Sequence, residues 1–205
     1  MTAFGNSIPQ LSQLFQNKWK EIAEFNAGCD DACMTLLNSL SIDPTEYHRT
    51  NEPSDTGLKF VSHPSSARLC DVRDNRHTDN GTLTLLFYKE WSIHAFSPKD
   101  GTWAFIPPLE TCALVNVANS LQKISGGRLH SPEHRATQPF DGAKDRYFVT
   151  YLLRPENGLI SKWNAARWSW CLIPVQPCNR RVLLLFELRN QRLPHAFYLF
   201  KKFIQ

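Results

Sequence analysis

The chain has 205 residues, enough for one domain with a real hydrophobic core. With 42% hydrophobic and 20% charged residues, it is neither a disordered segment nor a membrane-spanning one. The net charge of +4 is unevenly spread: residues 1–155 carry 15 Lys/Arg against 17 Asp/Glu, and residues 156–205 carry 8 against 2. The basic residues of the last stretch lie among Trp, Leu and Phe with no nucleic-acid motif. A basic segment can signal nucleic acid or acidic membrane, but without such a motif nucleic acid is not expected as a partner.

In chain order, Leu11, Leu14, Phe15, Trp19, Ile22 and Ala23 recur at helical spacing and predict an amphipathic helix over about 9–27. Gly28 is expected to end it, and Asp30 or Asp31 to cap a second helix reaching Leu40. From residue 57 the pattern changes to short runs rich in Thr, Val, Leu, Phe and Trp, separated by turn residues. The runs are LKFVSH, TLTLLF, WSIHAF, TWAFIP, CALVNVA and RYFVTYLL. Many short strands without helices between them imply a mainly β fold, a jelly roll with N-terminal helices laid on one face. This divides the chain into a helical region (1–56), a β core (57–156) and an atypical basic segment (157–205). A strand at 182–188 and a short helix near the end are expected in the last part.

The N-terminus lacks a secretory signal, so a cytoplasmic location is expected. Six cysteines (29, 33, 70, 112, 171 and 178) form no zinc pattern and read as free thiols.

Two features carry chemistry. His77 and Asp79 stand two apart just ahead of a predicted strand, so that on extended backbone both would point to one side. A neutral imidazole and a carboxylate converging there can bind a metal, or can be an ordinary polar loop pair. His134 follows, just beyond the turn at Gly126-Gly127, and Arg146 opens a hydrophobic strand twelve residues later. The polar run HSPEHR around His134 suggests a position outside the core.

The segments HTDNGTLTLLF, DGTWAFIPP, LVNVANSLQKISGGRLHSPEHRA and DRYFVTYLLRPE resemble, in order and spacing, the core of the non-haem Fe(II)/2-oxoglutarate-dependent dioxygenases, in the branch related to isopenicillin N synthase. The resemblance covers about half the chain. It implies a double-stranded β-helix in which His77, Asp79 and His134 form a two-histidine, one-carboxylate triad on Fe(II). It also implies 2-oxoglutarate and dioxygen as co-substrates and Arg146 as the grip on the far carboxylate of 2-oxoglutarate. His63 falls where a tyrosine usually supports the co-substrate, and Phe148 replaces the serine of the usual Arg-x-Ser. Ala118-Asn119 replaces a usual Gly-Asp pair. The metal site is therefore better supported than the co-substrate site.

The implied activity is oxidation of a small organic molecule by hydroxylation, desaturation or ring closure, in specialised metabolism. Two alternatives stay open: a 2-oxoglutarate-independent iron oxidase of the isopenicillin N synthase type, and a silent relative serving as a binding module. Membrane and nucleic-acid partners are not expected, and the sequence does not speak to oligomeric state.

Overall fold

A computed structural model describes residues 13–64, 76–98, 100–136, 145–165 and 184–187. Helix α1 (Gln13–Asn17) is short, and α2 runs without a break from Trp19 to Ser39. The interruption expected at Gly28 is not there; the chain breaks at Lys18 instead. Phe25, Cys29, Ala32, Cys33, Leu36 and Leu37 recur along one helix face and are all buried. A glycine inside a helix costs about 1 kcal/mol relative to alanine. Burying a single Leu or Phe contributes about 1.5–3 kcal/mol, so packing outweighs the local preference. The helix ends at Leu40, Ser41 takes a left-handed conformation (φ 58°), and Asp43 caps a 3-10 turn (Pro44–Glu46) by accepting from Thr45 N at 2.9 Å.

Eight strands follow among the described residues: β1 (Gly57–Pro64), β2 (Leu83–Tyr88), β3 (Ile93–Ser97), β4 (Thr102–Ile106), β5 (Cys112–Val117), β6 (His134–Ala136), β7 (Asp145–Leu153) and β8 (Leu184–Glu187). They build a five-stranded sheet, β1-β7-β2-β5-β8, and a three-stranded sheet, β4-β3-β6, with every pairing antiparallel. The six predicted runs correspond to β1 to β5 and β7, and β8 lies within the strand expected at 182–188. Two further helices, α3 (Asn119–Ile124) and α4 (Asn157–Ala165), were not anticipated, so the strands are not free of intervening helix. The short helix expected near the end lies outside the described residues.

Strand alternation sorts the large sheet into two faces. Leu83, Leu85, Phe87, Ala113, Val115, Val117, Val149, Tyr151 and Leu153 pack under α2. Leu86, Tyr88, Leu114 and Phe148 point the other way and meet Ile93 and Ile106 of the small sheet. Tyr88 closes the gap between the sheets by donating to the Ile106 carbonyl at 3.3 Å. Tyr151 ties the outer layer down, its hydroxyl donating to Asp30 Oδ1 of α2 at 2.6 Å. The two sheets thus enclose an interior, and the residues discussed next lie at its rim and on its inner face.

Candidate metal centre

Residues 76–82 pass from the small sheet to the large one. His77 forms a two-bond antiparallel bridge with His134: each backbone N–H donates to the other's carbonyl at 2.9 Å. This sets the two imidazoles side by side, ring centres 4.6 Å apart. Arg76 and Glu133, the residues just before them, pair across the same seam at 3.5 Å.

Asp79 is placed by three independent contacts. Its carbonyl accepts from Asn119 N at 2.9 Å, at the start of α3. Its Oδ2 accepts from Asn116 Nδ2 of β5 at 3.4 Å. Its Oδ1 turns to the histidines, 3.8 Å from His77 Nε2 and 3.6 Å from His134 Nε2. Gly81 then admits the chain to β2 with φ +135°. A Cβ there would lie 2.7 Å from the Leu153 carbonyl oxygen, so only glycine fits without displacement.

The gaps of 3.6 and 3.8 Å are too long for hydrogen bonds. Two ligand atoms at about 2.1 Å from one ion in neighbouring positions lie roughly 3 Å apart, which the two His–Asp gaps exceed by less than an ångström. One ligand atom from each of His77, Asp79 and His134 falls within 4.8 Å of the others. The ring orientation also suits a cation. His134 Nδ1 is 3.1 Å from the Pro132 carbonyl, which can only accept, so Nδ1 is the donor there and Nε2 is the nitrogen turned to Asp79. Two imidazoles and a carboxylate are a donor set suited to Fe(II) that leaves further positions open. His134 and Asp79 are nearly enclosed while half of the His77 side chain is exposed, so the centre opens on one side. His134 is itself a buried residue, contrary to the expectation drawn from its polar neighbours; the bridge to His77 and the contact with Pro132 hold it inward.

Arg146 is the second residue of β7 and is 2% exposed, its Nε donating to the Trp91 carbonyl at 3.2 Å. It shares the inner face with Phe148, which is buried in the apolar cluster between the sheets. Opposite Arg146 in the β1–β7 register stands His63. The interior therefore holds a fixed cationic group on a wall that is otherwise largely apolar. Asn116, which positions Asp79, was not singled out from sequence. Asn116 was detectable as the one polar residue in the apolar run CALVNV.

The sheet order and the enclosed interior are those of a double-stranded β-helix, and the histidine–carboxylate cluster at its rim is a candidate metal site. The sequence profile of the 2OG-Fe(II) oxygenase superfamily matches residues 45–155, and the chain belongs to that family. Fe(II) and 2-oxoglutarate are the family's cofactors.

Among its relatives is the 2-oxoglutarate-dependent dioxygenase FG08081 of Gibberella zeae. It is 39% identical over 111 residues, which cover 53% of this chain and 33% of that protein. The 2-oxoglutarate-dependent dioxygenase iboH of Amanita muscaria is 39% identical over 114 residues, covering 54% of this chain and 55% of that one. The fold matches the crystal structure of a full-length Neurospora crassa protein in complex with alpha-KG, with a TM-score of 0.56 and 23% identity. That match covers 68% of this chain and 47% of that one. The chain thus spans between a third and just over half of the two curated relatives.

Within the described residues no helix is long and apolar enough to cross a membrane.

Proposed function

We propose that this chain carries the catalytic core of an Fe(II)- and 2-oxoglutarate-dependent oxygenase that oxidises a small organic molecule, with residues 57–156 as the working unit. In this reading His77, Asp79 and His134 hold the iron. Arg146 takes the far carboxylate of 2-oxoglutarate in a charge-assisted, two-pronged contact, with His63 as a neighbouring support. The observation that carries the reading is the convergence of one carboxylate and two imidazole nitrogens within 4.8 Å at the mouth of the interior.

When bound, the iron and 2-oxoglutarate together supply the oxidising power that dioxygen alone cannot deliver to an unactivated C–H bond. The protein's own tasks are positional. The His77–His134 bridge fixes the ligand spacing, Pro132 orients the His134 ring, and Asn116 turns Asp79. Arg146 offsets the charge of a dicarboxylate inside an apolar interior, where an unpaired anion would be strongly disfavoured. The buried inner residues Leu86, Tyr88 and Phe148 keep bulk water from the reacting region.

The fungal relatives support a role in specialised metabolism, with hydroxylation as the default outcome and desaturation or ring closure as variants. Phe148 bears on the strength of co-substrate binding. It puts a buried ring where the resemblance has a hydroxyl, removing one hydrogen bond from the co-substrate carboxylate. That loss corresponds to roughly one to two powers of ten in affinity. An iron oxidase of the isopenicillin N synthase type would grip its substrate at the same position, so the change does not favour that reading over this one.

The test is anaerobic metal titration of the wild type and of the His77→Ala and Asp79→Ala variants. The reading expects one Fe(II) per chain, with affinity reduced at least a hundredfold in each variant. Equal affinity in all three proteins would remove the metal centre from these residues.

A further inference from the structure

Thr84 is 3% exposed, and its hydroxyl has no hydrogen-bond partner among the described residues. A buried hydroxyl left unpaired is destabilising, and native folds rarely keep one without a use. Its direction follows from the strand. Thr84 shares a face of β2 with Leu86 and Tyr88, both in the cluster between the sheets, so the hydroxyl faces the interior and not the helix layer. Across the β2–β5 ladder its register partner is Asn116, whose amide donates to Asp79 Oδ2 at 3.4 Å. Across the β2–β7 ladder its partner is Leu152, near the opposite end of β7 from Arg146. Thr84 therefore lies at the metal end of the interior, beside the residue that turns Asp79, while Arg146 lies at the other end.

We propose that the Thr84 hydroxyl, flanked by Asn116, is a binding group for the oxygen-rich 2-oxo-acid end of the co-substrate, the end that approaches the metal. Thr84 donates a hydrogen bond to a carboxylate oxygen there. The ligand meets the unpaired hydroxyl, and the hydroxyl offsets part of the anion's desolvation. This assignment rests on the function proposed above and adds a second anchor to it, at the opposite end of the interior from Arg146. It also accounts for how 2-oxoglutarate could be retained when Phe148 occupies the position of a hydroxyl-bearing residue.

The experiment is anaerobic calorimetry on the full chain loaded with Mn(II), which avoids turnover, using two probes. One is 2-oxoglutarate. The other is oxalate, which carries the two adjacent oxygen-bearing carbons of the metal end but no distal carboxylate. The inference expects Thr84→Val to weaken both probes by roughly tenfold or more, and Thr84→Ser to stay within about twofold of wild type for both. Arg146→Met is expected to weaken 2-oxoglutarate alone.

A second readout is independent of ligand. Replacing an unpaired buried hydroxyl by a methyl group of the same shape should raise the melting temperature of the ligand-free protein. Should Thr84→Val not fold, Thr84→Ala serves in its place. Wild-type affinity for both probes in Thr84→Val would overturn the inference while leaving the proposed function standing. Weakening of 2-oxoglutarate without oxalate would overturn the placement at the metal end. A wild-type protein that takes up neither metal nor 2-oxoglutarate would overturn both.

Discussion

Substituting Gly81 by alanine tests how tightly the backbone after Asp79 is specified. The residue sits at φ +135°, and a Cβ would come to 2.7 Å from the Leu153 carbonyl oxygen. The backbone conformation alone costs a non-glycine residue about 1–3 kcal/mol. The Leu153 carbonyl also accepts from Thr82 N at 2.8 Å, so relief of the clash weakens a bond worth about 0.5–1.5 kcal/mol. Together these predict a loss of about 2–4 kcal/mol for Gly81→Ala. For a chain of this size that is a fall in melting temperature of roughly 4–16 °C.

Gly101 provides the comparison. It also has positive φ, +64°, but no described atom lies within 4 Å of its added Cβ. Gly101→Ala should cost only about 1–2 kcal/mol. The assay is equilibrium denaturation of both variants, followed by metal titration. Gly81→Ala should also lower metal affinity, because Asp79 lies two residues upstream, and Gly101→Ala should not. A loss below about 0.5 kcal/mol in Gly81→Ala would refute the argument that close approach to β7 fixes this turn.

Three further outcomes are expected. Asn116→Ala should free Asp79 to rotate and reduce metal affinity by about 10–100-fold, read by titration with a competing chelator. Tyr151→Phe should cost about 1.5–3 kcal/mol in denaturation, because it removes a hydrogen bond to the Asp30 carboxylate and leaves that acceptor between α2 and the sheet. The Arg49–Glu156 ion pair joins the segment ahead of β1 to the one after β7, and Arg49 holds the Glu156 carboxyl below its ordinary value of 4.5. A depressed carboxyl stabilises the fold above its unfolded pKa, and that contribution disappears as pH falls through the folded value. Glu156→Gln should therefore be less stable at neutral pH and lose less further stability on acidification below about pH 4.5, measured as melting temperature against pH.

Local signals in the sequence carried most of the sheet. The runs TLTLLF and RYFVTYLL combine β-branched and aromatic residues with clear turn boundaries, and each became a strand at nearly the expected residues. The fate of Gly28 was not local: the helix continues because Cys29, Cys33 and Leu37 find partners on a sheet formed by residues far along the chain. Strand β6 is only three residues long and owes its existence to pairing with β3, so no periodicity announces it. In the candidate site, His77, Asp79, His134 and Arg146 stood out because the segments that carry them resemble, in order and spacing, those of a known family. Asn116 and Thr84 did not, since their roles depend on cross-strand register. His63 and Arg146 lie 83 positions apart in the sequence yet face each other in the β1–β7 ladder. That pairing follows only from the assembled sheet.

The central claim is that one centre in this chain binds Fe(II) through His77, Asp79 and His134 and takes 2-oxoglutarate beside it with the help of Arg146. The most direct measurement is an anaerobic titration of the Fe(II)-loaded protein with 2-oxoglutarate, followed by the weak visible charge-transfer absorption of the iron–2-oxo-acid chelate. The account predicts a saturable band in the wild type that shifts to much higher co-substrate concentration in Arg146→Met and is absent in Asp79→Ala. Iron uptake with no band at millimolar 2-oxoglutarate would contradict it, and would move the chain to oxidation chemistry that does without this co-substrate.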